Sequence, residues 1–229
     1  MPLDLNAADG AAEVLFDARR SFSRLDALPD EIRPVTASDG YAVQAGVVEK
    51  LLSWGQGRRV GYKIGATNPE ARGMLGASEA FAGVLISSFC HSVPLTINAR
   101  DYHVMVLEPE IALRLGESLP LSGAPYTPKR VATAVEAAAP SIEIVTSPFP
   151  VWNQAGIGCI IGDNGGNAAW VHGDFDTDFG RLDLADLATN LTVNGVVERE
   201  GMGRDVDGGP MIVLAWLANF LISMGGELK

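Results

Sequence analysis

Residues 106–115 read Val106-Leu107-Glu108-Pro109-Glu110-Ile111-Ala112-Leu113-Arg114-Leu115, an apolar run holding two carboxylates. Aliphatic residues in a run of this length predict a β-strand rather than a turn or an exposed helix. On a strand, residues two apart face the same side, so Glu108 and Glu110 become neighbours, with Leu107, Pro109 and Ile111 opposite. An ionised carboxylate in an apolar setting is costly unless a proton, a basic side chain, a cation or water compensates it. A third acid of this kind occurs in the apolar run Ser141-Ile142-Glu143-Ile144-Val145.

Similar β-like runs surround these two: RVGYKIGA from Arg59, GVLI, FCHSVPLTI, SIEIV, GIGCIIG and LTVNGVVE, punctuated by glycine and proline. Asn194-Gly195 marks a hairpin inside the last run. Helical periodicity appears mainly before residue 58. Val14, Leu15, Ala18, Phe22 and Leu25 predict a helix over about 8–27. Thr36 with Asp39 predicts a capped helix that ends at Trp54-Gly55-Gln56-Gly57. Two further helices are expected: one capped by Thr127 and running through VATAVEAAA to Pro140, the other from Pro210 to about Met224. The order predicts an α+β chain, with an N-terminal helical region (1–58) and a β-rich catalytic core (59–229). A length of 229 residues suits one substantial core, or a small lobe beside a main domain.

With 28 acidic and 17 basic residues the formal charge is −11, and no Lys/Arg run offsets it. Nucleic acid and anionic membrane surfaces are therefore excluded as expected partners, and an anionic ligand would need local positive charge. Cys90 and Cys159 are far apart and match neither zinc nor disulfide spacing. The opening MPLDLNAADG has neither the basic start nor the apolar core of a signal peptide. The apolar segment 211–224 is too short to span a bilayer. The expected location is cytoplasmic.

Three convergent carboxylates suit a hard, oxygen-seeking ion, Mg²⁺ or Mn²⁺, and only three histidines (His91, His103, His172) compete as ligands. The same residues also read as a solvated E-x-E strand face and an arginine-paired Glu143. GYKIGAT (61–67) places Lys63 in an apolar, glycine-flanked run. It reads either as a lysine snorkelling at a strand end or as a proton carrier beside a divalent ion. IIGDNGGN (160–167) ends an apolar strand in a tight turn, read either as a simple turn or as one whose backbone can approach a ligand closely. The G-x-G of GMGRDVDGGP lacks the strand–helix context of a dinucleotide site.

The blocks GYKIGATNPEARGMLG, EPEIALRLG, APSIEIV, IIGDNGGN and LTVNGVVEREGMG, in this order over about residues 34–222, resemble the 2-keto-4-pentenoate hydratase / 4-oxalocrotonate decarboxylase family of the fumarylacetoacetate hydrolase superfamily. The resemblance implies N-terminal helices packed on a mixed β-rich sandwich or roll. By position, Glu108, Glu110 and Glu143 fall where that family binds Mg²⁺ or Mn²⁺, and Lys63 falls at its catalytic lysine. Thr67 and Asp163 become pocket residues. The implied activity is hydration of a 2-hydroxy-2,4-dienoate or 2-oxo-enoate through a metal-chelated enolate. The alternatives are decarboxylation of a vinylogous 2-oxo acid such as 4-oxalocrotonate, or a catalytically silent homologue that binds a small acid. A homo-oligomer and a small 2-oxo acid substrate are the implied partners. One departure stands out: Phe81, in Glu79-Ala80-Phe81-Ala82-Gly83, occupies a position where family hydratases often carry an acid. A Glu-His pair of the hydrolase type is absent before His91, which makes carbon–carbon hydrolysis the weaker expectation.

Overall fold

The computed structural model describes residues 3–229 and is a mixed structure of helices and sheets. Helix α1 (Leu5–Ser21) is capped by Asp4, whose carboxylate accepts from the Ala7 amide, and ends at Phe22, whose φ of 56° is left-handed. That reversal stops the helix short of the expected residue 27. Helix α2 (Ala37–Gly55) opens with the expected capping box: the Thr36 hydroxyl accepts from the Asp39 amide and the Asp39 carboxylate accepts from the Thr36 amide. Strand β1 (Arg59–Gly65) pairs antiparallel with β2 (Phe81–Ile86), pairing Lys63 with Gly83, and α3 (Pro69–Leu75) lies between them in the chain.

The chain folds as two compact units: Met1–Ala66, Glu70–Glu108 and Glu143–Val171 form one, and Thr67–Pro69, Pro109–Ile142 and His172–Lys229 the other. The apolar faces of the two N-terminal helices share a core with the β1–β2 hairpin. Ala12 and Leu15 of α1 and Val43, Val47 and Leu51 of α2 pack in one cluster with Val84, Ile86 and Phe149. Burying these side chains drives the association at roughly 1.5–3 kcal/mol for each large residue.

A four-stranded sheet in the order β3-β6-β5-β4 holds β3 (Cys90–Ser92), β4 (Val106–Leu115), β5 (Val135–Val145) and β6 (Asn167–His172). Here two expectations fail. The helix predicted from Thr127 to Pro140 is only α4 (Pro128–Ala132), and the alanine-rich segment after it is the start of β5. Alanine's helix preference is a fraction of a kcal/mol per residue. It is overridden because Ala137, Ala138 and Ala139 are buried and Ala138 exchanges two backbone hydrogen bonds with Asp176. GIGCIIG, expected as a strand, is the short helix α5 (Ile157–Gly162). Its glycine permits this: a β-carbon on Gly158 would sit 2.3 Å from the Pro34 carbonyl oxygen, so only glycine lets α5 approach the segment leading into α2.

In the second unit, β7 (Ala188–Val193) and β8 (Val196–Met202) form the expected hairpin, with Asn194 and Gly195 at φ 51° and 82°. Helix α6 (Pro210–Ser223) packs on α4. The Asn219 side chain accepts from the Tyr126 amide and donates to the Tyr126 carbonyl. The stretch Gly203–Ser223 is apolar and long enough by composition to cross a membrane. However, Gly208 and Gly209, at φ 88° and 148°, interrupt it, and the 14 helical residues that remain span only about 21 Å.

Candidate active site

Strand β4 presents Glu108 and Glu110 on one face, as period-two alternation requires, and β5 brings Glu143 to them. One carboxylate oxygen from each lies within 4.8 Å of the other two. Glu143 is 1% exposed. Its Oε1 accepts from Asn167 Nδ2 at 2.8 Å, and its Oε2 lies 3.2 Å from Lys63 Nζ. Among the described residues, the cation paired with Glu143 is the Lys63 ammonium and not a guanidinium. Burial pushes the Glu108 carboxyl above its ordinary value; Lys63 pulls it down and Glu143 pushes it up again. The donor set is all carboxylate oxygen, and Lys63 acts on two of its members, pairing with Glu143 and lowering the Glu108 carboxyl. An all-oxygen donor set fits a hard divalent cation.

Lys63 is buried near the end of β1. Its Nζ donates to the Gly165 carbonyl at 2.9 Å and stands 5.2 Å from the centre of the Phe81 ring. Carboxylate, carbonyl and aromatic face together hold the ammonium in place without bulk water. The glycines around it are necessary. A β-carbon on Gly165 would lie 2.6 Å from Lys63 Cε, and one on Gly65 would lie 2.4 Å from the Phe81 ring.

The loop 163–167 supplies two of these contacts and is itself clamped. Asn164, Gly165 and Gly166 all have left-handed φ (54°, 63° and 74°). The Asn164 side chain pairs with both backbone groups of Val84 on β2. Arg19 reaches in from α1: Nε donates to Asp163 Oδ1 at 2.5 Å, one terminal nitrogen to the Asp163 carbonyl at 2.7 Å, and the other to the Asn167 carbonyl at 2.8 Å. Burial raises the Asp163 carboxyl, while the Arg19 charge pulls it down.

Lys63, Phe81, Glu108 and Asp163 line one cavity of about 80 Å³ in the first unit. Its remaining wall is mostly apolar, with Met74, Leu75, Phe149, Trp152 and Ile160. Thr67, half-buried after β1, is not among the residues lining it. Arg19 and Asn167 were missed in the sequence. For Arg19 a signal existed: Ala8, Ala12, Leu15 and Arg19 fall on one helical stripe, so the arginine lies on the buried face of α1. For Asn167 nothing local marks the residue.

The fold is shared with 4-oxalocrotonate decarboxylase from Pseudomonas putida G7, solved with calcium and acetate: TM-score 0.88 over 99% of this chain and 85% of that one, at 21% identity. The same enzyme solved with magnesium and adipate gives a TM-score of 0.85 at 20% identity, with the same coverage. An α+β scaffold carrying a carboxylate cluster beside a buried lysine defines the class. No family model matches the sequence. Curated relatives do: 2-hydroxyhexa-2,4-dienoate hydratase of Comamonas testosteroni is 32% identical over 217 residues, covering 94% of this chain and 81% of that protein. A 2-keto-4-pentenoate hydratase of Paraburkholderia xenovorans (strain LB400) is 29% identical over 96% of this chain and 80% of its own length. The chain belongs to this family of hydratases, which are hydro-lyases.

The raised Glu108 carboxyl sets a pH dependence. A carboxyl with a higher pKa folded than unfolded binds its proton more tightly in the native state. Its contribution to stability therefore falls as pH rises from the ordinary value of 4.5 through the raised one. In EDTA, Glu108→Gln should gain melting temperature relative to the wild type as pH climbs through that window, measured by scanning calorimetry. A difference that stays flat, or reverses, from pH 4 to 8 would show that no strained charge resides at Glu108.

Proposed function

We propose that the protein is a divalent-metal-dependent hydratase acting on a short 2-hydroxy-2,4-dienoate or the corresponding 2-oxo-enoate, with Mg²⁺ or Mn²⁺ held by Glu108, Glu110 and Glu143. The observation that carries this reading is the meeting of three carboxylate oxygens within 4.8 Å, next to a buried lysine that lines a cavity. An ion bound there would supply Lewis-acid stabilisation to an oxygen of the 2-oxo acid as negative charge builds on it. It would also give this acidic chain the local positive charge an anionic substrate needs.

Lys63 moves the proton at the carbon next to the 2-oxo group. Glu143 and the Gly165 carbonyl fix its Nζ, so the proton leaves from and returns to one place. Phe81 and the apolar wall exclude bulk water and receive the hydrocarbon end of the substrate. Asp163 shapes the far side of the cavity, and Thr67 stays a pocket residue of this proposal by sequence position alone. Action in the cytoplasm, and as a homo-oligomer, belongs to the same reading. The oligomer is supported by exposed apolar side chains on the β7–β8 hairpin, Val193, Val196 and Val197.

The decarboxylase reading fits less well. 4-Oxalocrotonate is a diacid, and among the described residues the only cation lining the cavity is Lys63, already opposed by Glu143. Its distal carboxylate would meet aromatic and aliphatic side chains with no countercharge, an expensive burial. Turnover of 2-hydroxypenta-2,4-dienoate or its hexadienoate homologue is expected with Mg²⁺ or Mn²⁺, and decarboxylation of 4-oxalocrotonate is not. Decarboxylation as the faster reaction would reverse the assignment, and metal binding with no turnover of either acid would indicate a silent homologue.

Two variants separate the parts of the site. Glu110→Gln should abolish divalent binding in calorimetric titration while the fold survives. Lys63→Ala should keep the metal yet slow deuterium exchange at C3 of a saturated 2-oxo acid in D₂O by about 10²–10⁴-fold, the usual range for losing a general acid–base group. Unimpaired exchange would remove Lys63 from the mechanism.

A further inference from the structure

Arg19 touches neither the carboxylate cluster nor Lys63, yet its guanidinium grips both ends of the loop that serves them. We propose that Arg19 is a positioning residue for the active site: it fixes the 163–167 loop so that the Gly165 carbonyl meets Lys63 and the Asn167 amide meets Glu143. This inference rests on the function proposed above.

The geometry is continuous. From α1, the three donors of one planar group reach Asp163 Oδ1, the Asp163 carbonyl and the Asn167 carbonyl at 2.5, 2.7 and 2.8 Å. Between those anchors the backbone makes three successive left-handed residues, one asparagine and two glycines, the residue types that adopt this region most readily. Gly165 then aims its carbonyl at Lys63 Nζ, 2.9 Å away, and the Asn167 side chain places its Nδ2 2.8 Å from Glu143 Oε1. The arginine is 8% exposed and Asp163 is 2% exposed, so the pair is desolvated and holds its geometry tightly. Only a guanidinium can occupy three acceptors in one plane: a lysine ammonium keeps the charge but not the fork. The orienting contacts of a metal ligand typically govern about 10–100-fold in metal affinity or activity. Arg19 stands one step behind such a contact.

The test compares Arg19→Lys and Arg19→Met with Leu15→Ala. Leu15 lies one helical turn away in the α1–α2 core, and its truncation lowers stability without touching the loop. Three readouts are taken at a temperature where all variants are folded: Mg²⁺ affinity by calorimetry, the amide shifts of residues 163–167 in metal-free protein, and kcat and KM with the dienoate. Arg19→Lys is expected to shift those amides, weaken Mg²⁺ about 10-fold or more and lower kcat more than it raises KM, while Leu15→Ala keeps wild-type affinity and kcat. If Arg19→Met leaves a buried carboxylate unpaired and fails to fold, Arg19→Lys decides alone. Wild-type Mg²⁺ affinity and kcat in Arg19→Lys, or equal losses in Leu15→Ala, would overturn the positioning role. Absence of Mg²⁺ binding and of turnover in the wild type would instead overturn the hydratase reading.

Discussion

The crowding of three carboxylates into one small volume is the constraint that organises the first unit and the two long strands. Like charges at this separation repel strongly, and in a partly dry setting they are not screened. Lys63 faces Glu143 at 3.2 Å, and burial first of all raises the Glu108 carboxyl, with Lys63 lowering it and Glu143 adding a smaller rise. A fold does not hold such an arrangement for stability, since apolar side chains of equal volume would serve better. Three carboxylates gathered this way could hold a divalent cation.

What keeps the arrangement from relaxing is the density of hydrogen bonds behind it. Glu143 and Lys63 each have backbone-anchored partners, and those partners lie on a loop pinned at Asp163, Asn164, Gly166 and Asn167. Thr146, next along from β5, donates its amide to the Gly166 carbonyl, so the strand that carries Glu143 and the loop that steadies it are also joined directly. Gln44 of α2 adds bonds from its side chain to the Ala82 and Ile161 carbonyls, tying the β1–β2 hairpin to α5. The helical layer is thereby tied to the hairpin that carries Lys63.

The legible parts of the sequence were those whose pattern is local. Period-two alternation in VLEPEIALRL placed two glutamates on one face, Thr36 and Asp39 announced a helix start, and Asn194-Gly195 announced a hairpin. Local pattern misled where tertiary burial decides: the alanines of 137–139 pack in a sheet, and α5 forms where glycine permits close approach. Which acids converge with Glu108 and Glu110 is a long-range matter. Glu143 was reached through an apolar strand and a family resemblance, not through spacing. Arg19 is a long-range matter too: it lies on the buried stripe of α1 with Ala8, Ala12 and Leu15, but its partner Asp163 is 144 residues away.

Phe81 shows why the cavity cannot be tuned one residue at a time. Its ring fills the space left by the missing side chain of Gly65 and comes within 2.8 Å of where a β-carbon on Gly165 would stand, while the same Gly165 position abuts Lys63 Cε. Ring, lysine and two glycines form one packed set, so a change at any of them moves the others and their effects do not add. A smaller residue at 81 would enlarge the cavity but also withdraw the aromatic face from the ammonium and admit water beside it. An acid there would give the ammonium a second carboxylate to answer to, competing with Glu143 for the same charge. The present combination leaves the ammonium to Glu143 and most of the cavity wall apolar.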